Sequence, residues 1–231
     1  MKVTLLTLML ASLSTLSASV IFYAEAPGLQ STHLGGVVVE TFDAVSPGGL
    51  GNYSSTIGHY STGAQVVGPD IFGGANLSNY AAVGVQSGTS SYTLTFNGAQ
   101  NFFGFYWLAM DVNNLVQFYN GVNLVASISA SDVLGILSPA YYGNPNTSTN
   151  TTEPYAFIGF MSDNQATDFT SIVFVQTNPG MGFETDNHTV LASSNGGSVQ
   201  PTPEPATVAM LVPAIGALAF AARRRRQKQA L

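Results

Sequence analysis

The sequence predicts an all-β protein, a jelly-roll-like β-sandwich. Short runs of apolar, aromatic and β-branched residues recur along the middle of the chain. Gly, Asn and Ser separate these runs at intervals that suit tight turns. Almost no stretch carries the apolar period of a helix. Residues 37–42 make the first of these strands. In residues 92–96, Tyr92, Leu94 and Phe96 fall on one face and Thr93 and Thr95 on the other. Residues 102–110 are strongly aromatic. Residues 115–119 and 124–128 flank Asn120-Gly121-Val122-Asn123, a sequence suited to a tight hairpin. Residues 155–161 and 170–175 are further strands, and residues 189–192 the last. Residues 132–137 have room for one helical turn, capped by Ser131 or Asp132. A β-solenoid is the structural alternative, but no fixed repeat period supports it.

Charge is distributed unevenly along the 231 residues. Lys2, Arg223, Arg224, Arg225, Arg226 and Lys228 are all the basic residues, so none lies between residues 3 and 222. Residues 27–200 carry Glu40, Asp43, Asp70, Asp111, Asp132, Glu153, Asp163, Asp168, Glu184 and Asp186, a formal charge of −10 with His neutral. A body without fixed positive charge has no electrostatic means of holding nucleic acid. It is also repelled by anionic membrane surfaces. With no cysteine, disulfides, thiolate metal sites and cysteine nucleophiles are excluded.

Both ends read as export and sorting signals. Residues 1–26 have a basic start at Lys2, an apolar run over 3–16 and small residues after it. Cleavage is expected after residue 19, behind Ser17-Ala18-Ser19, or after residue 26, behind Ala24-Glu25-Ala26. The signal peptidase and the export translocon are the partners this implies. A β-sandwich domain is then expected over 27–192, with a Ser/Gly/Asn spacer over 193–200. Pro201-Thr202-Pro203-Glu204-Pro205 follows, then a charge-free run over 208–222 and the arginines 223–226. Prolines without an N–H keep the segment ahead of the run extended and accessible. A 15-residue helix over 208–222 rises about 22 Å, short of a roughly 30 Å hydrocarbon core. Snorkelling arginines recover part of the span. The arginine cluster and residues 227–231 are expected on the cytoplasmic side, with the body outside.

Pro203-Glu204-Pro205, the short apolar run and the terminal arginines together resemble the PEP-CTERM sorting signal of Gram-negative bacteria, over residues 201–226. The resemblance implies that the chain is a substrate of an exosortase, a membrane-embedded cysteine peptidase that removes such tails. It also implies an exopolysaccharide-producing context. Pro203, Glu204 and Pro205, with Arg223 to Arg226, would form the sorting motif. The body, over residues 37–192, is similar to extracellular β-sandwich domains found on exosortase substrates. Thr41-Phe42-Asp43, Phe103-Gly104-Phe105-Tyr106-Trp107 with Asp111 and Asn114, and Phe183-Glu184-Thr185-Asp186-Asn187 carry that similarity.

Two candidate sites stand out in the body. Asp43 follows an early strand, and Glu184, Asp186 and Asn187 precede the last one, so their oxygens converge if first and last strands are neighbours. Such a set suits a structural Ca²⁺; solvated turn acids are the alternative. Tyr141, Tyr142 and Asn144 lie in a loop ahead of a polar run and offer rings and an amide to a sugar. Ordinary loop packing is the alternative there. Catalysis has little support. His33, His59 and His188 are dispersed, and no paired-acid, Ser-elbow or phosphate-loop motif is present. His188, beside the late acids, is the histidine of interest. The leading expectation is a non-enzymatic, exosortase-processed protein of the surface or matrix of a biofilm, with a structural or adhesive role. A carbohydrate-binding module for exopolysaccharide and a secreted hydrolase are the alternatives.

Overall fold

The computed structural model describes residues 20–162 and 168–191. The segment ahead of residue 20, the spacer, the 201–226 tail with its 208–222 run, and Asp163 lie outside the described residues. What is described is a two-sheet, sandwich-like, all-β structure. Its strands are β1 (Val20–Ala24), β2 (Val37–Glu40), β3 (Gly48–Gly49), β4 (Tyr53–Ser54), β5 (Gly58–Tyr60), β6 (Gln65–Val67) and β7 (Tyr80–Gly84). After these come β8 (Ser91–Gln100), β9 (Phe102–Leu108), β10 (Asn114–Asn120), β11 (Asn123–Ser129), β12 (Ala156–Ser162), β13 (Phe169–Gln176) and β14 (Gly182–Leu191).

The larger sheet runs β1-β12-β9-β14-β7-β6-β3, with β2 also paired to β14. The smaller runs β11-β10-β13-β8-β5-β4. From β7 onward, β7, β9, β12 and β14 belong to the larger sheet and β8, β10, β11 and β13 to the smaller. All strand pairs are antiparallel. β2 aligns Glu40 with His188 on β14, so an early strand does neighbour the last.

Between the sheets lies an aromatic core. Phe103, Phe105 and Trp107 of β9 point into it, with Phe160, Phe174 and Phe183. Phe105 is its hub: its ring is 5.3 Å from Trp107, 5.5 Å from Phe174 and 5.7 Å from Phe160. The Trp107 indole N–H donates to Asn114 Oδ1 at 3.0 Å, and the Asn114 amide donates to the Gly182 carbonyl at 2.9 Å. The aromatic strand expected at 102–110 is buried along its whole length because its other face is covered too. Tyr106 and Leu108 pack there in a second core with Tyr80, Ala82, Tyr155 and Phe157. Gly104 is required for that contact, since a Cβ would come within 2.6 Å of the Phe157 ring.

The β10–β11 hairpin forms where expected. Asn120 pairs with Asn123, and Gly121 takes φ 59°, the left-handed region a two-residue turn demands.

Two expectations need correction. The helical turn is Ala130–Leu134, not 132–137, and its cap is Ser129. Ser129 and Asp132 form a reciprocal capping box: the Ser129 N–H donates to Asp132 Oδ2 at 2.9 Å, and the Asp132 N–H donates to Ser129 Oγ at 3.3 Å. The last strand starts at Gly182, not 189, so Glu184, Asp186 and Asn187 are inside it rather than ahead of it. The reason is burial on both faces, which removes the solvent-facing alternation that marks a strand. The larger sheet begins at Val20, directly after the first of the two cleavage positions considered for the export signal.

Removing the hub ring creates a cavity on both sheets at once. Phe105→Ala is expected to lower the unfolding free energy by about 3–5 kcal/mol in urea titrations, with the β-sheet dichroism retained without denaturant.

Candidate functional site

β14 organises the polar chemistry of the domain. Phe183, Thr185 and His188 face the aromatic core, while Glu184 and Asp186 face the second core under the loops of the larger sheet. A register shift between Asp186 and Thr189, with Asn187 at φ 49°, makes the change of facing between Asp186 and His188.

His188 is fully buried, and its ring stacks on Phe174 at 5.0 Å. Its Nδ1 lies 2.9 Å from the Tyr60 hydroxyl and its Nε2 2.9 Å from Thr185 Oγ1. Tyr92 Oη is 2.8 Å from the same Thr185 oxygen, and Thr185 donates to the Ala81 carbonyl at 3.4 Å. That last bond spends the threonine's proton. Tyr92 and His188 Nε2–H therefore donate to Thr185, and Tyr60 donates to Nδ1. Every group is satisfied with a neutral imidazole. Burial pushes His188 down to about 3. It is a structural histidine on the sheet face opposite the late acids.

Each of the four candidate cation ligands is engaged by other protein groups. Asp186 spends both oxygens: Oδ1 accepts the Asn187 N–H at 2.7 Å, and Oδ2 accepts the Ala75 N–H at 2.7 Å and the Ser78 hydroxyl at 2.9 Å. The Asn187 amide donates to the Gln30 carbonyl at 2.8 Å. Asp43 is exposed and accepts the Asn79 N–H at 3.2 Å; its charge reaches Asp186 and raises it slightly. Glu184 instead turns to a cleft of about 230 Å³ that it shares with Asp111 and Glu153. Among the described residues no three His, Cys, Asp or Glu side chains are grouped closely enough to hold one metal ion.

Without a cation nearby, these carboxyls are pushed upward. Burial, opposed by the hydrogen bond from Gln86 and reinforced by Asp111 and Glu153, takes Glu184 to about 8. Burial takes Asp186 to about 7 against its three donors. Asp111 rises to about 6 through burial and the Glu153 charge.

The candidate sugar contacts come together at a different cleft. Tyr141, Tyr142 and Asn144 all line a cavity of about 350 Å³ beside Pro27 and Gly28. Their roles differ. Tyr141 is buried and donates its hydroxyl to the Glu25 carbonyl at 2.7 Å. Asn144 is buried, donates to the Asp70 and Ile71 carbonyls, and accepts the Asn146 N–H at 2.9 Å. Tyr142 is 45% exposed. Sequence reasoning missed Ser148 and Thr151 on the same wall, which Tyr155 also lines. The polar run 144–152 was the available signal.

The sorting residues Pro203, Glu204, Pro205 and Arg223 to Arg226 lie outside the described residues. Residues 201–226 match the model of the PEP-CTERM protein-sorting motif. The chain thus carries a PEP-CTERM sorting motif near its carboxy terminus beside a two-sheet all-β domain. The motif supports export and processing by an exosortase. No curated protein and no solved structure matches the chain.

The shifted carboxyls set a pH dependence. Glu184 and Asp186 have folded values above their unfolded ones, so their stability contribution is complete below about pH 4 and is lost as pH rises through about 7–8. His188 acts in the opposite sense, with stability lost as pH falls from 6.5 towards 3. Glu184→Gln should flatten the fall in unfolding free energy, read by urea titration between pH 5 and 8, by up to about 1.4 kcal/mol for each pH unit over which Glu184 titrates. Parallel curves for wild type and variant would place the titration elsewhere.

Proposed function

We propose that this is an exported, non-catalytic surface or matrix protein whose tail is removed by an exosortase. In this reading, a jelly-roll-like sandwich plays a structural or adhesive role among exopolysaccharide. The carrying observation is the match of residues 201–226 to the PEP-CTERM protein-sorting motif. The alternation of β7 to β14 between the two sheets, broken by the β10–β11 hairpin, supports the jelly-roll reading. The signal peptidase and translocon act first, and the 208–222 run holds the chain briefly in the inner membrane with Arg223 to Arg226 cytoplasmic. The exosortase then acts near Pro203-Glu204-Pro205.

Signal-peptide cleavage after Ser19 is favoured over cleavage after Ala26. β1 pairs with β12 over Val20 to Ala24, the Glu25 N–H donates to the Phe157 carbonyl at 2.9 Å, and the Glu25 carboxylate meets His33 Nδ1 at 2.7 Å. Cutting after residue 26 would remove this edge strand and expose β12. Val20 is therefore the expected amino terminus of the exported protein. Amino-terminal sequencing that begins at Pro27 would contradict this.

The sorting reading is tested by intact mass and cell fractionation of wild type and Glu204→Ala. Wild type is expected outside the inner membrane without its arginine tail, and the variant uncleaved within it. A wild-type protein that keeps Arg223 to Arg226 at steady state would make this a membrane-anchored domain instead.

A further inference from the structure

We propose that the cleft under the 139–155 loop is a binding site for a neutral saccharide, with Tyr142 as its stacking platform. The cleft measures about 350 Å³, within the roughly 300–1,000 Å³ range of small-molecule sites.

Its lining has no charged side chain. Anions find no cation there and face a body of charge −10. Cations find no carboxylate in the lining. What the cleft does present is one half-exposed ring, Tyr142, and three hydroxyl groups on Tyr142, Ser148 and Thr151. None of the three has a hydrogen-bond partner among the described residues. Pro27 and Pro145 add flat apolar walls. An aromatic face beside unspent hydroxyls matches a pyranose, which has an apolar C–H face and a rim of hydroxyls able both to donate and to accept.

The loop is held in shape before any ligand arrives. The Tyr155 N–H donates to the Tyr141 carbonyl at 2.9 Å, the Gly143 N–H to the Glu153 carbonyl at 3.0 Å, and the Asn144 N–H to the Thr149 carbonyl at 2.8 Å. The Tyr155 hydroxyl donates to the Ile71 carbonyl at 2.9 Å. Ser148 at φ 56° and Asn150 at φ 50° are left-handed without being glycine. Such backbone persists only where the surroundings over-determine it. A fixed loop avoids the ordering cost that a mobile one would charge to binding. Tyr141 and Asn144 thus position the site, and Tyr142 touches the ligand.

The test uses the purified full chain and saturation-transfer NMR with three neutral probes, cellotetraose, maltotetraose and isomaltotetraose, and one anionic probe, tetragalacturonate. At least one neutral probe should bind and the anionic probe should not. Tyr142→Ala should weaken that binding about tenfold or more with an unchanged thermal midpoint, because the ring is exposed. Val122→Ser, in the β10–β11 turn, should leave it unchanged. No transfer to any neutral probe at about 5 mM, or binding that survives Tyr142→Ala, or equal binding of tetragalacturonate, would each overturn the proposal. Tail processing is read by mass and fraction, so failure of this site and failure of the sorting reading are separate results.

Discussion

A domain that lacks lysine and arginine must hold its buried carboxyls without salt bridges to them. Glu25, Glu40, Glu184 and Asp186 are all buried. Each is held by a different substitute. Glu25 takes the imidazole of His33, the Thr32 hydroxyl at 2.8 Å and the His33 N–H at 3.1 Å. Glu40 accepts the Phe42 N–H at 2.7 Å and the Tyr53 hydroxyl at 3.1 Å. Asp186 takes two backbone N–H groups and a serine hydroxyl, and Glu184 is left to a glutamine amide and to its own proton. A buried carboxylate without donors costs several kcal/mol, so these bonds dictate where the loops lie.

That constraint links the fold to its surface. Asp186 fixes residues 75–78 against the larger sheet, Glu25 fixes the strand-to-loop passage at 25–33, and the Tyr141 hydroxyl ties the 139–155 loop to the Glu25 carbonyl. The second core of Tyr80, Tyr106, Tyr155 and Phe157 fills the space beneath. The loops are thereby a covering layer with fixed clefts. One cleft is acidic, with Glu184, Asp111 and Glu153; the other is uncharged, with Tyr142.

The long strands were legible because period-two alternation and aromatic content are local signals. β8, β9, β10, β11, β12 and β13 all fall where those signals lie. β3, β4, β5 and β6 are two or three residues each, so they carry too little pattern to stand out. The sequence pattern shortens β14 because its outward acids look like turn residues; only the loops that cover them make that face interior. Asp43, Glu184, Asp186 and Asn187 form one cluster in the sequence, whereas in space they are engaged by Asn79, Gln86, the 75–78 turn and Gln30 respectively. The exposure of Tyr142 was legible from its loop setting, whereas the burial of Tyr141 and Asn144 depends on Glu25 and Asp70, more than 70 positions away in the chain.

The central claim, that carboxyls in this cation-free body are held by hydrogen bonds and protonation, is tested most directly by carboxyl ¹³C NMR titration of the full chain with Glu184→Gln and Asp186→Asn for assignment. The account predicts midpoints near 8 for Glu184 and near 7 for Asp186, so that both are largely protonated at pH 6. Midpoints at the ordinary carboxylate value of about 4 for both groups would contradict it.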